Sequence, residues 1–148
     1  MKTHWAVPGF VQWAVSVFVL LFINLLPYLC RLPHGMNWVK QYVPDSGLSL
    51  EWILWFHAFA SLPSIPPILA ALIGKKGTLA FILSLVISIS FLAYYHHDYD
   101  LASDAQAAVG LVFIPVYATS ISTLGFLIGL GLQSKWKSRA NKADTGFK

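Results

Sequence analysis

Four apolar stretches dominate this chain, from about Gly9 to Cys30, Leu50 to Ile73, Thr78 to Tyr95 and Ala107 to Leu132. About 20 helical residues cross the roughly 30 Å of hydrocarbon in a bilayer, and each stretch is close to or above that length. A soluble helix of similar length needs a polar outer face, which these stretches lack. With 57% hydrophobic and 11% charged residues and a mean hydropathy of +0.64, the chain lies outside the range of soluble domains. Membrane β-strands would appear as segments of about 10 residues with alternating polarity, and that period is absent. The expected fold is all-α and integral to the membrane, a bundle of four transmembrane helices at about 9–30, 50–73, 78–97 and 105–132. These form a single domain over residues 1–134, followed by a basic cytoplasmic tail at 135–148.

Lys2 precedes the first stretch as it would in a secretory signal. The stretch is longer than a signal's apolar region, however, and no small-residue cleavage site follows, so it reads as an uncleaved helix. Cys30 is the lone cysteine; it excludes an internal disulfide and reads as a helix-end residue.

Lys and Arg in the short connections set orientation. Of the ten such residues, eight (Lys2, Lys75, Lys76, Lys135, Lys137, Arg139, Lys142 and Lys148) fall on one side, and Arg31 and Lys40 on the other. That split places both termini in the cytoplasm of a multi-pass protein of the bacterial inner membrane. Asp45, Glu51, Asp98, Asp100 and Asp104 then face outward. The net charge of +4 is accounted for by a basic rim against anionic lipid, with no nucleic-acid partner. Trp5, Trp38, Trp52, Tyr94, Tyr95 and Trp136 lie near the expected interfaces, where amphipathic rings anchor helices.

Gly74 to Gly77 is a tight hairpin that makes helices two and three antiparallel neighbours. The outer loop, residues 31–49, is long enough to fold over the bundle mouth. Trp38, Val39, Tyr42 and Val43 suit a short interfacial helix between Pro33 with Gly35 and Pro44 with Gly47. Ser103 and Gln106 match a capping box with Asp104 between them, and Ser49 with Glu51 offers a weaker start for helix two. Beyond Ala140 the tail reads as disordered.

Small residues Ala118, Ser122, Gly125 and Gly129 share one face of helix four, and Ala80, Ser84 and Ser88 recur at steps of four in helix three. Such stripes let backbones approach closely, and these two are expected to meet inside the bundle. Helix two contains Pro63, Pro66 and Pro67, which lack amide donors and orphan the carbonyls of Phe59, Leu62 and Pro63. A kink or break is expected from Pro63 to Pro67, filled by Ser61 or Ser64 hydroxyls or, as in some transporters, forming part of an ion path.

Two polar groupings are candidate sites. His57 lies about seven residues, or roughly 10 Å, into helix two, and ionisable groups at membrane depth mark function. Asn24 lies at similar depth, so Asn24, His57, Ser61, Tyr94 and Tyr95 form a candidate polar chamber. At the outer end of helix three, His96, His97, Asp98 and Asp100 offer imidazoles and carboxylates of the kind that hold a divalent metal. Adjacent His96 and His97 diverge by about 100° on a helix, which argues for a solvated cap instead. No HExxH, paired CxxC, nucleophile elbow or phosphate-binding glycine loop is present, and no catalytic residues are assigned. No cofactor is expected beyond that divalent metal.

These features favour a non-catalytic protein that acts by binding: an accessory or assembly subunit, or an immunity-type protective protein. Its partners would be the lipid bilayer and another membrane protein or a second copy of itself. A membrane enzyme or metal site at the outer His and Asp cluster is the alternative. A proton- or ion-linked transporter component is the third reading.

Overall fold

A computed structural model describes residues 9–42, 50–102 and 107–145. Helix follows helix through these segments, and no strand occurs among the described residues. Four helical spans are long and apolar enough to cross a membrane: Phe10–His34, Ile53–Lys76, Thr78–Asp98 and Val109–Ser138. The first comprises α1 (Gly9–Arg31) and a 3-10 turn at Leu32–His34. Gly35, with φ of 92°, then reverses the chain through a conformation that a Cβ disfavours. It leads into the short α2 (Met36–Lys40). The second span is α3 (Leu50–Ala60), a 3-10 turn at Leu62–Ser64 and α4 (Ile65–Ile73). The third is α5 (Thr78–Asp98) and the fourth belongs to α6 (Ala107–Thr145). The capping box at Ser103 to Gln106, together with Trp5, Val43, Pro44, Asp45, Gly47 and Ser49, lies outside the described residues.

Large apolar side chains point outward along the spans, among them Phe10, Phe18, Leu21, Leu124, Leu127 and Ile128. Such a surface suits hydrocarbon and would be a liability in water. Inside, Val19, Ile23 and Leu26 of α1 meet Leu92 of α5 and Ile114 and Ala118 of α6.

The most extensive contact is between α5 and α6, and it is made by small residues. A Cβ on Gly129 would fall 2.4 Å from the Cα of Ala80, and one on Gly125 would come within 3.4 Å of the Leu83 backbone. Ser122 Oγ donates to the Ser84 carbonyl at 3.0 Å and lies 2.8 Å from Ser88 Oγ.

The α-helical ladder of the second span is interrupted where its prolines begin. Pro67 has no amide to give the Pro63 carbonyl, and Ser88 of α5 donates to that oxygen at 2.9 Å. Ser61 donates to the His57 carbonyl at 2.6 Å, and Ser64 to the Ser61 carbonyl at 2.6 Å. A neighbouring helix thus fills part of the gap that the sequence assigns to local hydroxyls.

At the other end of α4, the hairpin turns at Gly74 with φ of 69°. Gln133 of α6 closes it, donating to the Lys75 carbonyl at 2.7 Å and accepting from the Leu79 amide at 3.3 Å. One of the orphan amides in the first turn of α5 is met in this way. The fourth helix does not stop near Leu132 but continues to Thr145. Residues 133–145 contain neither Gly nor Pro, and Lys and Arg in this stretch favour the negative end of the helix dipole.

Candidate functional site

The end of the bundle that carries the turn between α1 and α2 is organised around Arg31, the last residue of α1, which is 0% exposed. Pro33 and the turn at Gly35 bring α2 back over it. Arg31 Nε donates to the Trp38 carbonyl at 2.8 Å, Nη1 to the Tyr99 carbonyl and Nη2 to Gln41 Oε1. Its guanidinium carbon lies 4.0 Å from the Tyr42 ring centroid and 4.9 Å from that of Trp38. A planar, weakly hydrated cation can use its edge for hydrogen bonds and its faces for aromatic rings, which an ammonium cannot match.

Gln41 extends the knot to the loop after α5. Its Oε1 also accepts from the Leu101 amide at 3.1 Å, and its Nε2 donates to Asp100 Oδ1 at 2.9 Å. The Ala102 amide donates to the same oxygen at 2.9 Å. These two hydrogen bonds, with the charge of Arg31, hold the Asp100 carboxyl below its ordinary range. Tyr42 is buried with its hydroxyl 2.7 Å from His96 Nδ1 and its ring edge-on to the His96 and Tyr28 rings. Burial pushes the Tyr42 phenol up to about 12, although the Arg31 charge works in the opposite direction.

On the exposed side of this cap stands a second grouping. His34 stacks on Trp38 with ring centroids 4.3 Å apart and planes 21° from parallel. Its Nε2 lies 3.5 Å from His97 Nδ1, which is 2.6 Å from Asp98 Oδ1. One ligand atom from each of His34, His97 and Asp98 lies within 4.8 Å of the others, and all three residues are exposed.

The four candidates at the end of α5 are therefore divided. His96 and His97 diverge as helical neighbours must: His96 turns inward to Tyr42, while His97 and Asp98 remain exposed. Asp100 joins the Arg31 knot through Gln41. His34, Arg31, Gln41 and Tyr42 are the residues that sequence reasoning missed as site members. The available signal was an arginine closing the first apolar stretch, with Pro33 and Gly35 two and four residues later, a pattern for a turn that returns the chain over the helix end.

Of the five chamber candidates, three meet. Asn24 Nδ2 donates to Ser61 Oγ at 2.9 Å and to the Leu20 carbonyl at 2.9 Å, and Asn24 Oδ1 lies 3.4 Å from His57 Nδ1. Tyr94 and Tyr95 are exposed, and pair edge-on with each other, while Tyr95 also packs on Phe91. They make no hydrogen bond to that trio among the described residues. At the opposite end of the bundle, Val11, Gln12, Val15, Ala70, Gly74 and Phe81 line a concavity of about 200 Å³, a largely apolar wall suited to hydrocarbon.

No family model, curated protein or solved structure matches this chain.

Proposed function

We propose that this is a small polytopic protein of the bacterial inner membrane, with both termini cytoplasmic, that acts by binding another membrane protein. An accessory or assembly subunit and an immunity-type protective protein are both roles of this kind. The observation that carries the reading is the Arg31 knot, which ties the segment from Leu32 to Tyr42 onto the end of α5 through backbone and side-chain bonds. A segment fixed in this way pays little ordering entropy on association. It presents Leu32 and Met36 to the outside, exposed by 49% and 60%, beside Lys40. Further support comes from the interior: no buried polar side-chain atom among the described residues lacks a hydrogen-bond partner. Polar groups there already have structural work, as a scaffold that presents a binding surface requires.

The test is site-specific photocrosslinking in intact membranes. A photoreactive residue at Met36 should give a discrete cross-linked product, while one at the lipid-facing Leu124 should give lipid adducts alone. Replacing Arg31 with Lys, which keeps the charge but not the planar fork, should abolish the Met36 product at an unchanged membrane level. Equal products from Met36 and Leu124, or none from Met36, would refute the binding role assigned to the cap.

A further inference from the structure

We propose that His34, His97 and Asp98 form a binding site for a borderline divalent transition cation, of which Zn²⁺ is the type, with one coordination position open to solvent. This goes beyond the binding role of the cap: the ligand atoms are not those that hold the cap together, although the cap sets their spacing.

The geometry suits two imidazoles on one ion. Tetrahedral Zn²⁺ with Zn–N bonds of about 2.05 Å places neighbouring ligand nitrogens roughly 3.3 Å apart. His34 Nε2 and His97 Nδ1 stand 3.5 Å apart. The rings are not parallel: their centroids are 4.6 Å apart and their planes differ by 69°, and aiming both lone pairs at one ion takes a side-chain rotation that the exposure of both residues allows. Asp98 Oδ1, 2.6 Å from His97 Nδ1, is at hydrogen-bond distance. A cation replacing the proton between them would take the carboxylate as its third ligand after a small rotation. That rotation is open to Asp98, because it is exposed and the chain leaves the helix at the next residue, where Tyr99 is extended with φ of −83° and ψ of 101°. Two imidazoles and a carboxylate are the donor set of a three-ligand zinc site that keeps a fourth position for water.

The ligands come from separate elements, and the cap fixes their spacing. His34 rests on the Trp38 ring, and the Trp38 carbonyl is bonded to Arg31, which also holds the Tyr99 carbonyl next to Asp98. The two sides of the site are thus bridged before any ion arrives, so binding costs less ordering than at two independent surface histidines. A bound ion would add a direct link between the turn after α1 and the end of α5.

The experiment uses the full chain, purified without a polyhistidine tag, stripped with chelator and titrated with Zn²⁺ alone by calorimetry. Co²⁺ provides a spectroscopic reading of coordination geometry. One Zn²⁺ per chain is expected, with a rise in Tm on binding. His34→Ala and His97→Ala should each weaken binding by about tenfold or more, and Asp98→Asn by less. Because these side chains are exposed, the metal-free Tm should stay at the wild-type value. His34→Gln, which retains a polar side chain, serves if His34→Ala does not fold. Absence of binding by the wild-type protein at about 100-fold excess Zn²⁺ would overturn the proposal. So would unchanged affinity in the folded His34 variant, since His97 and Asp98 would then be acting as an ordinary surface chelate.

Discussion

Burying a guanidinium costs several kcal/mol in lost hydration, so Arg31 has to be compensated locally. It has three hydrogen-bond acceptors and two aromatic faces within reach. Charge-assisted bonds contribute roughly 1.5–3 kcal/mol each and a desolvated cation–π contact about 2 kcal/mol, enough together to offset the penalty. The same cation lies over the ring of Tyr42, whose phenol is buried. Burial wins over the charge, and the phenol is pushed up to about 12. A group whose folded pKa is raised stabilises fully below its unfolded value, near pH 10, and loses that contribution as pH climbs towards 12. Spectrophotometric titration at the tyrosinate band should therefore show a late-ionising tyrosine among the six in the chain. Tyr42→Phe should remove absorbance from that late region. Loss confined to the region near pH 10 would contradict the buried state of this residue.

Among the elements, the contact between α5 and α6 depends most on what is missing. A Cβ on Gly129 would sit 2.4 Å from Ala80 Cα and 2.6 Å from its nitrogen, both backbone atoms that no rotamer change can move. Gly129→Ala should therefore cost about 1–3 kcal/mol, as overpacking does, despite the better helix propensity of Ala. Gly131, two residues along the same helix, has nothing within 4 Å of its Cβ position, so Gly131→Ala should be neutral or stabilising. Thermal melts of the two variants in the same detergent compare them directly, and equal melting temperatures would show that the close approach is not a constraint. The four-residue period of small side chains is legible in the sequence because it is a property of one helix. What such a period cannot carry is the bond from Ser88 to the Pro63 carbonyl, since it depends on the depth at which α5 passes the proline segment.

For the whole molecule, four apolar stretches suffice to define the helical spans, because crossing hydrocarbon is a length and composition requirement that each segment meets alone. The site at the α1–α2 turn is less legible. His34 and His97 are 63 positions apart; Pro33 and Gly35 signal that the chain turns back after α1, but no local pattern encodes where the returning segment meets α5. The extent of α6 is legible only in part: residues 133–145 are polar and basic as in a tail, yet without Gly or Pro they continue the helix to Thr145. Orientation depends on charge alone, through the excess of Lys and Arg at the hairpin and the tail. It can be tested on the lone cysteine background, with Cys30→Ser as the parent. Met36→Cys lies in the cap and Lys76→Cys in the hairpin, both exposed, and at opposite ends of the bundle. A membrane-impermeant maleimide applied to cells with a permeabilised outer membrane and an intact inner membrane should label Met36→Cys at once. It should reach Lys76→Cys only after the inner membrane is opened. The reverse order would invert the topology and place the His34, His97 and Asp98 cluster in the cytoplasm, where Zn²⁺ would have to be drawn from a buffered pool instead of from the outer compartment.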